Sequence, residues 1–114
     1  MKNPKSVKAK GRRLQNFVRD ALRKAFPSLQ DDDIKSQTMG MTGEDIVLSP
    51  AASEKIPYSF ECKNKERMDL WKSLIQAEDN TPDKATPILI IKRNRSKTYA
   101  ILEFDKFMEM INEI

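Results

Sequence analysis

The apolar positions of this chain switch between a helical and a strand period, and the switches divide it into elements. Leu14, Phe17, Val18, Ala21, Leu22, Ala25 and Phe26 recur at i, i+3, i+4, i+7 and i+8. That spacing predicts an amphipathic helix that starts near Lys10, stops before Pro27 and carries Arg12, Arg19 and Arg23 on its outer face. The polar, Asp-rich residues 28–33 predict a turn, residues 34–38 a short strand, and Gly40-Met41-Thr42-Gly43 a loop. Two apolar runs follow, 45–48 and 56–63, and the Ser-Pro-Ala stretch between them predicts a β-hairpin. Residues 66–79 carry Met68, Leu70, Trp71, Leu74, Ile75 and Ala77, enough for a second helix that ends before Asn80-Thr81-Pro82. Pro87-Ile88-Leu89-Ile90-Ile91 is the most apolar run and predicts a central strand covered on both faces. A turn at Asn94-Arg95-Ser96 leads to a strand over 98–102 and a closing helix over 105–114. Phe104, Phe107 and Met108 are expected in the core there, with a dimer contact as the alternative if Met108 or Met110 lies outside it. Tyr58 and Trp71 sit in apolar runs and are expected to pack rather than to stack on bases.

The predicted order, helix, three strands, helix, two strands, helix, defines an α/β domain: a mixed central sheet flanked by helices. Residues 1–9 are Lys-rich and read as a flexible basic arm ahead of a single domain over 10–114. A chain of 114 residues suits one core rather than two. It contains no histidine, which excludes Ser-His-Asp and Cys-His relays, an imidazole base and the usual His-bearing zinc or iron sites. Chemistry must therefore use carboxylates, lysines, hydroxyls or a hard metal ion. A single cysteine, Cys62, permits no internal disulfide, and no apolar run approaches ~20 residues, so a soluble cytoplasmic protein is expected.

The formal charge of +4 is unevenly distributed. Nine bases and one acid fall within residues 1–24, leaving twelve bases and sixteen acids for the rest. Such segregation fits a polyanion-binding surface beside a separate acidic site, and it fits a solvated basic helix face equally well.

Asp45, Glu61 and Lys63 are the charged residues with positional meaning. In a strand, Glu61 and Lys63 point to one face while Phe60 and Cys62 point to the other, and a neighbouring strand can add Asp45. Two carboxylates with a backbone carbonyl, that of Cys62, form the open oxygen set that Mg²⁺ prefers. The Glu-Cys-Lys tripeptide by itself carries little weight, since chance supplies about two acid-x-Lys matches in this composition. The chain holds two, and the other is Asp33-Ile34-Lys35. Only Glu61 and Lys63 end a strand-like run with an acid at the start of the preceding one. A cross-strand ion pair on an exposed sheet face would account for them as well.

These residues resemble the PD-(D/E)XK nuclease superfamily. Lys10-Gly11, followed four residues on by Gln15, resembles the Lys-Gly-x-x-x-Glu start of the archaeal Holliday-junction-resolvase branch. Ser36, the glycine loop, Gly43-Glu44-Asp45-Ile46-Val47 and Phe60-Glu61-Cys62-Lys63-Asn64 follow in the family's order. The stretch from Glu61 through Trp71 and Gln76-Ala77-Glu78 to Asn94 is similar to small phage-encoded endonucleases of this superfamily. The resemblance implies a restriction-endonuclease-like fold and a Mg²⁺-dependent DNA endonuclease, with Mn²⁺ as a substitute ion. Asp45, Glu61 and the Cys62 carbonyl would hold metal, and Lys63 would orient water or neutralise charge, the latter favoured because flanking carboxylates stabilise its ammonium. Gln15 stands where the resolvase branch has Glu, keeping an oxygen but losing a charge, so metal affinity or metal number is expected to be lower; Glu44 could substitute only if the strand were bulged. Gln15, Ser36 and Gln76 are the expected supporting contacts.

For DNA, the cations Lys10, Arg12, Arg13, Arg19, Lys65, Arg67, Arg93 and Arg95 are expected to line a duplex or branched backbone, although each alone is also what a solvated surface presents. Aromatic content of 7% argues against a single-strand binder built on stacking platforms. The resemblance implies cutting of branched DNA, as in recombination, by a homodimer whose two sites make two cuts. The alternatives are a catalytically weak DNA-binding or assembly module on the same fold, and a nicking or restriction-type nuclease acting on ordinary duplex.

Overall fold

The computed structural model describes residues 4–38 and 40–114. A long helix, α1 (Pro4–Ala25), is followed by a 3₁₀ turn (Asp31–Asp33), strands β1 (Ile34–Ser36) and β2 (Ile46–Leu48), and a short helix α2 (Pro50–Lys55). Then come β3 (Tyr58–Asn64), α3 (Leu70–Asp79), β4 (Thr86–Lys92), β5 (Tyr99–Ile101) and α4 (Phe104–Asn112). The chain is an α/β protein, and none of its described helices is long and apolar enough to cross a membrane.

Helix α1 starts earlier than its apolar period indicates. Pro4 to Ala9, expected as part of a flexible arm, is helical and continuous with the rest of α1, and residues 1–3 of that arm lie outside the described residues. Its buried stripe is narrower than predicted: Leu14 and Val18 are buried, Leu22 and Phe26 pack against the same core, and Phe17 is mostly exposed. Leu14, Val18 and Leu22 repeat at strict i+4 spacing, so the covered stripe is narrow and Phe17, on its flank, stays outside.

The expected hairpin between the second and third strands does not form. β2 pairs antiparallel with β1, setting Ile46 opposite Ser36. The intervening Ser-Pro-Ala segment is α2 instead. Ser49 caps it, accepting from Ala52 N at 3.1 Å, and Pro50 occupies its first turn, where a missing N–H costs nothing. Ser49 also donates to Asp33 Oδ1 at 2.6 Å, and this hydrogen bond is the main cause holding the Asp33 carboxyl below its ordinary range. The second acid-x-Lys match is thus accounted for by a structural bond.

β3 lies parallel to β4, and β4 antiparallel to β5, so β4 is central as predicted. Phe60, Cys62, Ile88 and Ile90 face α1 and join Leu14, Val18, Ile34, Ile46 and Ile56 in the main core. The opposite face, with Leu89 fully buried, is covered by α3 through Ser73 and Ala77. Covering both faces explains why β4 is an unbroken apolar run. Asp69 caps α3, accepting from Lys72 N at 3.0 Å. Arg23, on α1, donates to the carbonyls of Ile34 and Asp31, so this cation ties helix to strand.

The apolar faces of α3 and α4 depart most from expectation. Trp71 is 75% exposed and Phe104 70%, while Phe107, Met108 and Ile111 are also exposed and no residue of α4 is buried. The expected core positions of α4 therefore lie on the surface. β1 and β2 form a separate two-stranded sheet; the three-stranded sheet β3-β4-β5 presents two faces, which α1 and α3 occupy, and α4, following the edge strand β5, buries none of its residues.

Candidate functional site

The parallel register of β3 on β4 builds the site. Glu61 stands opposite Leu89 and Lys63 opposite Ile91, on the sheet face turned to α3. Phe60 and Cys62 turn to the core, as the alternation requires. β2 is not paired to β3 along its length, but its entry is bonded there: Asp45 N donates to Phe60 O at 3.0 Å, and Cys62 N donates to Asp45 Oδ2 at 2.7 Å. These two bonds bring the acid that precedes β2 beside the acid of β3.

Asp45, Glu61, Cys62 and Lys63 line one cleft of about 230 Å³, together with Gln15 from α1 and Gln76 from α3. A second recess of about 460 Å³ shares Asp45, Glu61 and Gln76 and adds Lys72, Asp79 and Asn80. Glu61 is only 4% exposed. Its Oε2 lies 3.6 Å from Lys63 Nζ, and its Oε1 accepts from Asn80 Nδ2 at 3.1 Å. Both partners fix the carboxylate, and Lys63, itself mostly buried, is held at the cleft rather than in solvent.

Asp45 carries the electrostatic signature of the site. Burial pushes its carboxyl up from 3.8 to about 6, and the Glu61 charge adds to that. The Cys62 N–H, the Lys63 ammonium and a hydrogen bond from the Gln15 side chain oppose the rise. The Cys62 thiol is raised by burial first and by the two carboxylates next, leaving it an inert core group. Gln15 is 7% exposed, and its Oε1 is buried with no hydrogen-bond partner; Asn64 Oδ1, on the same cleft, is in the same condition. An orphaned buried acceptor costs about 1–3 kcal/mol, so the cleft is organised to receive donors or a cation.

Among the described residues no group of three His, Cys, Asp or Glu side chains is placed to hold a metal ion. Glu44 does not line the cleft; its carboxyl, raised by burial, is hydrogen-bonded to Ser59. A cation here would rest on Asp45 and Glu61 with neutral oxygens, of which Gln15 Oε1 and the Cys62 carbonyl belong to cleft-lining residues. Hard oxygens with two negative charges fit Mg²⁺ or Mn²⁺ and fit a soft ion poorly.

Ser36, expected near the site, instead donates to Asn16 Oδ1 at 2.8 Å and braces α1 against β1. Lys10 is largely buried, and its carbonyl accepts from Asn64 Nδ2 at 3.0 Å. Arg12, Arg13, Lys65, Arg67, Arg93 and Arg95 are exposed. Arg19 is half-buried and bonded to Asp20 and Asn16. Asn80, Lys72 and Asp79 were not singled out from sequence, where Asn80 read only as a helix stop. The signal was present: Lys72, Gln76, Asp79 and Asn80 fall at i, i+4, i+7 and i+8, a polar stripe on α3.

No protein-family model matches this chain, and neither do any curated proteins or solved structures.

Proposed function

We propose that this protein is a metal-dependent DNA endonuclease with a restriction-endonuclease-like fold, hydrolysing phosphodiester bonds in branched DNA as a PD-(D/E)XK enzyme. The observation that carries this reading is the convergence of Asp45, Glu61 and Lys63 on one recess, beside a buried acceptor on Gln15 that has no partner. A cross-strand ion pair on an exposed face accounts less well for the same residues, because Glu61 is buried and its second oxygen is held by Asn80.

Asp45 and Glu61, with the Gln15 and Cys62 oxygens, would hold Mg²⁺ or Mn²⁺. Such an ion, when bound, supplies Lewis-acid polarisation of phosphate and a more acidic water. The protein's own part is preorganisation. Cys62 N–H aims one oxygen of Asp45, Asn80 fixes the rotamer of Glu61, and Lys63 offers an ammonium where negative charge develops on the phosphoryl group. Without a cation, phosphate would meet two carboxylates in this cleft. Exposed Arg12, Arg13, Lys65, Arg67 and Arg93 supply a sequence-independent attraction for the DNA backbone.

The second copy expected of an enzyme making paired cuts would dock on the α3–α4 face. That face carries a groove of about 460 Å³ lined by Trp71, Leu74, Ile75 and Phe104, next to the exposed stripe Phe107, Met108 and Ile111. Groove and ridge on one surface meet the requirement of a two-fold contact. Glu103, Asp105, Glu109 and Glu113 along α4, against Lys106, disfavour DNA there.

One observation favours a second reading, a DNA-binding module without catalysis: among the described residues no third carboxylate is placed with Asp45 and Glu61 to hold a metal ion. Incubating labelled four-way junction, flap and linear duplex with Mg²⁺, Mn²⁺ or EDTA separates the two. Metal-dependent cutting that disappears in Lys63→Ala is expected; tight binding with no cutting under either metal would establish the module instead.

A further inference from the structure

We propose that the basic cleft adjoining the carboxylates seats an unpaired nucleotide of the DNA strand, so that single-stranded character is read beside the phosphate to be cut. This rests on the nuclease reading of Asp45, Glu61 and Lys63.

The cleft, about 470 Å³, lies beyond the C-terminal ends of β3 and β4 and falls within the ~300–1,000 Å³ of small-ligand pockets. Lys65, Arg67 and Arg93 stand on it as exposed cations, while Met68, Ile91 and Tyr99 give it an apolar wall. A groove that only tracks phosphates needs the cations and has no use for the apolar wall. Tyr99 is 55% exposed, although it belongs to a strand. A duplex keeps its base faces stacked and paired; only an unpaired base can lay one against Tyr99.

The sheet register ties this wall to the candidate catalytic group. Lys63 is paired with Ile91 across β3 and β4, and Ile91 with Tyr99 across β4 and β5. Directly paired residues project from the same face, so Lys63, Ile91 and Tyr99 form one row. Two strand spacings of ~4.8 Å separate Lys63 from Tyr99 along it, about three stacked nucleotide steps of ~3.4 Å. Lys65 lines both this cleft and the carboxylate cleft.

The wall is also preorganised. Lys92 Nζ donates to Ser96 O at 3.0 Å, Arg93 N to Ser96 Oγ at 3.0 Å, and Asn94 N to Glu66 Oε2 at 2.8 Å. These bonds pin the β4–β5 turn and occupy an oxygen of the acid among the cleft residues. Arg95, at the tip, is held at φ 62°, a left-handed conformation that glycine or asparagine adopts at less cost.

The test uses two DNA probes of equal length in EDTA, a fully paired duplex and the same duplex with a short single-stranded gap carrying 2-aminopurine. Binding by anisotropy and quenching of 2-aminopurine are measured for wild type, Tyr99→Leu and Tyr99→Phe, whose folding is checked by circular dichroism. Leucine keeps apolar bulk on the edge strand and removes the π face. Wild type and Tyr99→Phe are expected to prefer the gapped probe and quench its fluorescence. Tyr99→Leu is expected to lose about fivefold or more in affinity for the gapped probe, with duplex affinity changed less than about twofold. Equal affinity of wild type for both probes, or a preference undiminished in Tyr99→Leu, would overturn the proposal. Preference without any metal-dependent cutting would leave the nucleotide seat standing and remove the nuclease reading; cutting without preference would do the reverse.

Discussion

Replacing Asp45 by asparagine should stabilise the metal-free protein while destroying its site. Burial and the Glu61 charge raise the Asp45 carboxyl from 3.8 to about 6. A carboxyl raised on folding is penalised when ionised, so the cost is small below pH ~4, grows between 3.8 and 6, and is complete above about pH 7. The difference of about two pH units corresponds to roughly 3 kcal/mol at pH 7.5 and well under 1 kcal/mol at pH 4. Asparagine keeps an oxygen to accept from Cys62 N and carries no charge to bury. Urea unfolding in EDTA should therefore place the Asp45→Asn midpoint about 2 M above wild type at pH 7.5, with an unchanged slope and nearly coincident curves at pH 4. Divalent cation should close most of that gap: Mg²⁺ at about 100 times its dissociation constant would stabilise wild type by ~2.7 kcal/mol and leave the variant unmoved. A less stable variant at pH 7.5, or an equal gain at both pH values, would refute the claim that a buried, uncompensated charge is stored here.

Other outcomes follow from the same geometry. Gln15→Glu adds a third carboxylate beside Asp45; its melting temperature in EDTA should fall below wild type at pH 7.5 and rise more steeply with added Mg²⁺, and a flat Mg²⁺ response would remove position 15 from the cation site. Phe107→Glu places a charge on the exposed stripe of α4, and light scattering should show wild type at twice the mass of the variant; a dimer that survives would put the interface elsewhere. Ser49→Ala removes both the α2 cap and the bond to Asp33, and chemical denaturation should register a loss of about 1–2 kcal/mol at neutral pH.

The elements differ in how far the sequence revealed them. β4 was legible because a strand covered on both faces has no polar positions, and α1 because Leu14 and Val18 repeat with the helix. The pairing of β2 was not legible. Alternation within Ile46–Leu48 describes a strand but not its neighbour, and the partner was decided by where α1 and the Asp33–Ser49 bonds hold β1 and β2. The Ser-Pro-Ala segment has hairpin-loop composition, yet a serine cap followed by proline also opens a helix, and the local bonds select that outcome. On α4 the periodicity was correct and its meaning was not: an amphipathic face reports that something apolar should cover it, without stating that the cover belongs to the same chain.

Sequence by itself determined the chemistry available to this protein: without histidine, and with a single cysteine, it reduces to carboxylates, lysines, hydroxyls or a hard metal ion. It also placed Glu61 and Lys63 on one face, because strand alternation is local geometry. Only the tertiary structure decided that Asp45 joins them through the Cys62 amide, that Asn80 holds Glu61, that Gln15 leaves a buried oxygen unpaired, and that Ser36 and Lys10 serve packing instead. The physical reason is that these contacts join residues 17 to 20 positions apart or more, where neither periodicity nor turn chemistry carries information, and they form only once the shared core has folded.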